Sequence, residues 1–289
     1  MITPTALTER LLFTTVRIET TLRNCSTGVG TGFFFTMTID DTKSFPLIVT
    51  NRHVVQEATN GSFQLHEAQP GVSQPKPSGR FFTIEIDNFE SQWISHPNPG
   101  VDLCAMPFQP LRARAEEAGK TIFNVSFDEG LVLSGEQLEK LTAVEDILLV
   151  GYPIGLWDKK NNLPLIRRGI TASHPAIGFL GKPQFVIDAA CFPGSSGSPV
   201  VLANMGSYYT KDGSLVVGTR FGLLGILHAG PQWTAKGDIE IKPIPTAALP
   251  VAKTPLMIHL GYVIKAREIL TLAEYITQQA RKRGQLGGS

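Results

Sequence analysis

Residues 188–202 read DAACFPGSSGSPVVL. Gly194 and Gly197 frame a serine pair, and glycine on both sides lets the chain turn tightly and aim successive backbone N–H groups into one concavity. A merely solvated loop would be flanked by polar residues. Here Asp188–Cys191 lie on one side and Pro199–Leu202 on the other, both reading as buried segments. A serine held on such a turn is a candidate nucleophile. It would need a base within hydrogen-bond reach, an acid to orient that base, and N–H groups aimed at the developing oxyanion.

The chain has six histidines to supply the base: 53, 66, 96, 174, 228 and 259. His53 stands out because PLIVTNRHVV (46–55) places it just past a buried-strand pattern, at a strand-to-turn boundary. A histidine there can also do no more than satisfy a local carbonyl. Asp102 opens the apolar strand pattern GVDLCAMPF (100–108). It reads as a turn residue or as a carboxylate whose burial would be costly without a partner such as an imidazole N–H.

Most other apolar runs are short and rich in β-branched or aromatic residues, as in GTGFFFTMTI, GRFFTIEIDN, DILLVGYP, QFVIDAAC and LLGILHAG. Gly, Pro, Asn and Asp punctuate them, which predicts an all-β chain. A hairpin is expected around Asp212-Gly213. Helical patterns are few: a short one at 4–11, a capped one beginning near Ser134, and an amphipathic helix at 265–283 with Ile269, Leu270, Leu272, Ala273 and Ile276 on one face. Arg281-Lys282-Arg283 suits the C-terminal end of that helix, and GQLGGS (284–289) reads as disordered.

A net charge of +1 gives no basic surface for nucleic acid. No stretch approaches the roughly 18 apolar residues of a membrane span. The first residues lack the basic leader and apolar core of a secretion signal. Cys25, Cys104 and Cys191, odd in number and far apart, fit free thiols. A cytoplasmic protein is therefore expected.

TNRHVV, DLCAMPF and DAACFPGSSGSPV, in that order, resemble the His, Asp and Ser blocks of the chymotrypsin/trypsin-like serine proteases. The similarity is closest to the bacterial HtrA-like branch, with further matches in GVGTGFFF, GYPIGL and RRGITAS. The resemblance implies two six-stranded antiparallel β-barrels with a C-terminal α-helix. Residues 1–115 would form a barrel carrying His53 and Asp102, and 116–145 a connector with a short helix. Residues 146–262 would form the barrel carrying Ser196, and 263–289 the helix and tail. The space left after the last strands implies no PDZ domain. His53, Asp102 and Ser196 would be the catalytic triad of an endopeptidase acting on protein or peptide substrates. The backbone N–H groups of Gly194 and Ser196 would form the oxyanion hole. Ser195 stands where trypsin-type enzymes have the Asp that binds a newly released N-terminus, and Ser198 replaces the commoner second glycine, as in glutamyl endopeptidases.

The same resemblance places the substrate pocket near Ala190, His228 and Gly230. No acidic residue lies at the pocket base, which disfavours Lys or Arg recognition. Related enzymes carry a pocket histidine at the position of Leu227, so His228 falls on the other face of a regular strand. It reads as a support for Asp102, as a pocket wall, or as a structural residue. His66 and His96 are expected in polar loops. No metal or cofactor is expected, because no histidine has ligand spacing to cysteine or carboxylate and GVGTG has no βαβ context. A regulatory protein partner fits a protease that must be restrained in the cytoplasm. A catalytically silent binding or scaffold protein is the alternative. An α/β-hydrolase esterase is disfavoured, since it would read G-x-S-x-G with its histidine after the serine.

Overall fold

The computed structural model describes residues 1–40, 43–72, 74–230, 232–238, 251–257 and 259–282. The expected disorder of 284–289 lies outside the described residues. After helix α1 (Leu7–Leu11), an antiparallel meander begins with β1 (Thr15–Leu22), β2 (Thr27–Asp40) and β3 (Lys43–Thr50). Helix α2 (Arg52–Val55) leads to β4 (Ala58–Ala68), β5 (Pro77–Asp87), β6 (Ile94–Ser95) and β7 (Cys104–Pro107). Helix α3 (Gln109–Glu117), β8 (Ile122–Phe123), β9 (Phe127–Asp128) and helix α4 (Gly135–Glu139) complete this part.

The strands of this first unit pair in the order β5-β4-β1-β2-β3-β7-β6, with β8 on β4 and β9 on β2. This corrects the expectation of a closed six-stranded barrel: the ladder ends at β5 and β6. Strand β6 is only two residues long, and a 3-10 turn at Phe89–Gln92 stands between it and β5. Side chains fill that end instead, with Phe89 and Trp93 buried edge-on to each other and tilted against Phe63.

The second unit is a closed barrel, β10-β11-β12-β19-β16-β13. Its strands are β10 (Asp146–Gly151), β11 (Leu165–Thr171), β12 (Gln184–Asp188) and β13 (Pro199–Asn204), then, after a hairpin, β16 (Arg220–Ala229) and, later, β19 (Leu260–Lys265). The hairpin is β14 (Ser207–Tyr209) and β15 (Leu215–Val217), turning at Gly213 as expected. A separate pair, β17 (Gln232–Asp238) and β18 (Val251–Met257), precedes β19. Helix α5 (Arg267–Lys282) ends the described chain, and Arg283 lies beyond it.

The FFF run explains itself in this arrangement. Strand side chains alternate faces, so Phe34 and Ile48 enter the core of the first unit. Phe33, Phe35, Leu47 and Val49 enter a second core shared with Leu148, Val150 and Val201 of the barrel. Strands buried on both faces read as unbroken apolar runs. Ile269, Leu272, Ala273 and Ile276 of α5 join the shared core, so the predicted amphipathic face clamps the two units together. Helix α4 is capped as expected: Ser134 Oγ accepts from Gln137 N at 3.2 Å, and Gln137 Oε1 accepts from Ser134 N at 2.8 Å.

Candidate active site

Strand β3 ends at Thr50 and pairs antiparallel with β7, matching Thr50 to Cys104. The residues just beyond these paired ends are Asn51 to His53 on one strand and Asp102 on the other. Asn51 is buried and its Nδ2 donates to Asp102 O at 2.9 Å. Asp102 Oδ1 accepts from the His53 backbone N at 3.1 Å, and Oδ2 meets His53 Nδ1 at 2.5 Å. Since the carboxylate can only accept, the proton sits on Nδ1 and Nε2 presents a lone pair. The His53 ring is 45% exposed, against 24% for the Asp102 side chain, so the imidazole faces solvent and the carboxylate stands behind it.

Ser196 comes from the loop joining β12 to β13. Gly194 and Gly197 both have φ of +85°, in the region that glycine alone enters freely. Added Cβ atoms would also collide: 1.8 Å from Thr31 O at Gly197 and 2.6 Å from Tyr152 O at Gly194. Pro193 O accepts from Ile154 N at 2.5 Å, which turns the Gly194 N–H of the same planar peptide the opposite way. Ser195 N donates to Phe192 O and Ser198 N to Ser195 O, both at 3.0 Å, while Gly197 N donates to Leu227 O at 2.9 Å. The N–H groups of Gly194 and Ser196 donate to nothing among the described residues. Ser195 and Ser198 are fully buried, whereas Ser196 is partly exposed.

His53 and Asp102 are thus joined directly. Ser196 Oγ has no hydrogen bond to His53 among the described residues, and the hydrogen bonds that tie the Ser196 loop to the first unit come from Thr31. This wholly buried residue of β2 donates its N–H to Ser196 O at 2.9 Å and its Oγ1 to Gly194 O at 3.0 Å. Its Oγ1 also accepts from Tyr152 N at 3.2 Å, and its carbonyl accepts from Thr50 Oγ1 at 2.7 Å. Thr31 and Thr50 carry no signal in the sequence beyond a hydroxyl inside an apolar strand.

Among the pocket candidates, Ala190 and Gly230 are partly exposed, and Ala190 O accepts from Arg167 Nη1. His228 is the extra residue of a β-bulge, where the β16–β19 register shifts between Leu227 and Ala229. Leu227 packs in the barrel core, while the His228 ring bonds Gln184 Oε1 through Nε2 at 3.1 Å. Burial lowers the His228 pKa, the Asp102 carboxylate opposes that, and His53 adds to it. His228 therefore sits within electrostatic reach of the pair, with no hydrogen bond to Asp102 among the described residues.

His66 is not in a polar loop, whereas His96 is in the loop that follows β6. His66 lies on β4, buried, with Nε2 on Asn162 O at 3.0 Å and its ring edge-on to Phe13 and Phe81. His96 is buried with Nε2 3.4 Å from Glu268 of α5. The flanks of His66 are polar but β4 packs it inward, and His96 is buried within its loop beside α5. Among the described residues no cluster of His, Cys, Asp and Glu could hold a metal, and no helix is long and apolar enough to cross a membrane. Cys25, Cys104 and Cys191 are free thiols.

The sequence profile of the trypsin-like peptidase domain matches residues 30–207, more than half of the chain and all three candidate residues. The chain belongs to that family. It is a serine endopeptidase, a hydrolase of protein or peptide substrates. Similar solved structures include the serine endoprotease from Yersinia pestis, 14% identical, with a TM-score of 0.48 over 96% of this chain and 68% of that one. The HtrA-type protease AlgW with tripeptide is 17% identical, with a TM-score of 0.43 over 95% of this chain and 62% of that one. HL collagenase is 15% identical, with a TM-score of 0.43 over 94% of each. These likenesses concern the fold. No curated protein matches the chain in sequence.

Proposed function

We propose that Ser196, His53 and Asp102 act as a catalytic triad. Ser196 Oγ attacks the scissile carbonyl, and His53 Nε2 takes its proton and passes it to the leaving amine. The acyl-enzyme so formed is hydrolysed by a water that gives its proton to the same nitrogen. The Gly194 and Ser196 N–H groups receive the oxyanion of each tetrahedral intermediate. The observation that carries this reading is the two-point bond between Asp102 and His53, which fixes the tautomer leaving Nε2 free to act as base. The unengaged N–H groups of Gly194 and Ser196 support it.

The three free thiols support a reducing, cytoplasmic setting. In that setting a protease needs restraint, from narrow specificity or from a regulatory protein partner.

A fluorophosphonate probe, with the adduct located by mass spectrometry, tests the assignment. Ser196 is expected to carry the label. A label on Ser195 or Ser198 overturns the choice of nucleophile, and no label at all overturns the triad.

A further inference from the structure

Arg167 and Arg168 are neighbours on β11 with opposite fates. Arg168 is exposed and pairs with Asp146 at 2.9 Å. Arg167 stands opposite Leu149 in register, and directly opposed residues share a face, so its side chain enters the barrel where Leu149, Val200, Leu227 and Cys191 pack. Its Nη1 donates to Ala190 O and, at 3.0 Å, to Ser195 Oγ. Its Nε and Nη2 are buried and bond nothing, and no carboxylate pairs with it among the described residues. Burial holds its pKa down to about 10, which leaves it charged at neutral pH.

A buried cation without a counter-ion is costly, and local rules are broken chiefly where function compensates. The place of its contacts supplies the reason. One nitrogen grips the start of the nucleophile loop at Ala190 and the side chain just before Ser196. The loop's other supports hold different atoms: Thr31 the carbonyls of Gly194 and Ser196, Ile154 that of Pro193. We propose that Arg167 is a positioning residue that ties the start of the nucleophile loop, at Ala190, to Ser195 beside the nucleophile and keeps the Gly194 and Ser196 N–H groups convergent. With the tether gone, Ser195 loses its side-chain anchor and the Ser195–Ser196 peptide can carry its N–H away from the reacting carbonyl, even though Ile154 still holds Pro193 O. This rests on Ser196 being the nucleophile.

The test uses the full chain, with peptide turnover, the rate of fluorophosphonate labelling and the thermal midpoint as readouts. Arg167→Met should lower kcat and the labelling rate by about 10²-fold, the scale of losing one oxyanion donor. KM should change little and the midpoint should hold or rise, which a purely structural role would not produce. Ser195→Ala, removing only the acceptor, should lower kcat in the same direction, and the double variant should be no worse than Arg167→Met, as for two ends of one contact. Wild-type turnover in Arg167→Met, or additive losses in the double variant, overturns the proposal. If Arg167→Met does not fold, Ser195→Ala decides alone: an unchanged kcat overturns the tether, and a lowered kcat at constant midpoint supports it. Absence of label on wild-type Ser196 would instead overturn the nucleophile reading.

Discussion

Asp102 holds His53 at two points, the backbone N–H through Oδ1 at 3.1 Å and the ring through Oδ2 at 2.5 Å. Asparagine fits the same space but has only one acceptor end. If its carbonyl serves the backbone, its amide faces Nδ1 and favours the tautomer with the proton on Nε2. Asp102→Asn should therefore leave the thermal midpoint nearly unchanged while kcat near neutral pH falls by roughly 10⁴. Turnover close to wild type would remove Asp102 from the mechanism.

Ser196 and His53 should fail together. Each alanine variant is expected to lose on the order of 10⁴–10⁶ in kcat, with the double variant little worse than either. Steady-state assays on one peptide substrate suffice, and losses that multiply would show the two residues acting separately.

Thr31→Val keeps the backbone N–H bond to Ser196 O but strips Gly194 O and Tyr152 N of their shared partner. Leaving buried groups unpaired costs about 1–3 kcal/mol, and kcat should fall by about 10-fold or more as the loop relaxes. Thr31→Ser restores the hydroxyl and should restore both. Equal behaviour of the valine and serine variants in chemical denaturation and turnover would refute the linkage.

His66 links stability to acid. Burial pushes its pKa down to about 4, partly offset by the Asn162 carbonyl. The unfolded chain binds the proton first, so His66's contribution is whole above about pH 6.5 and is lost as pH falls towards 4, roughly 3 kcal/mol in all. Urea titrations of His66→Gln across this window should show a shallower decline than wild type. Parallel curves would mean that His66 titrates normally in the folded protein.

His228 is bonded to Gln184 and not to Asp102. His228→Ala should accordingly alter the preference for the residue before the scissile bond, read from a peptide library, with less than about a tenfold effect on kcat for the best substrate. A loss on the scale of Asp102→Asn would make His228 part of the support of the pair.

Much of this was written in local order along the chain. Strand alternation, the Ser134 cap, the turn at Gly213 and the apolar stripe of α5 depend on neighbours a few residues apart, and each is present. The glycines of GSSGS announced a turn that only glycine permits, and both have the positive φ it requires. The His, Asp and Ser blocks named the candidate residues because their surroundings are contiguous in sequence.

What the local pattern could not carry was which distant atoms meet. His228 faces Gln184 because one bulge in β16 shifts the register, and a bulge leaves no mark on the apolar alternation. Arg167 enters the barrel and Arg168 faces water, although the two are adjacent and alike; strand register against β10 separates them. Thr31 reaches the nucleophile loop because the two units share a core. The first unit ends in side-chain packing where closure by pairing was expected, since Phe89 and Trp93 fill the gap beside a two-residue strand. Side-chain period and chain order follow from covalent neighbours. Contacts between residues far apart in sequence follow from register and close packing of whole sheets, which exist only once the chain has folded.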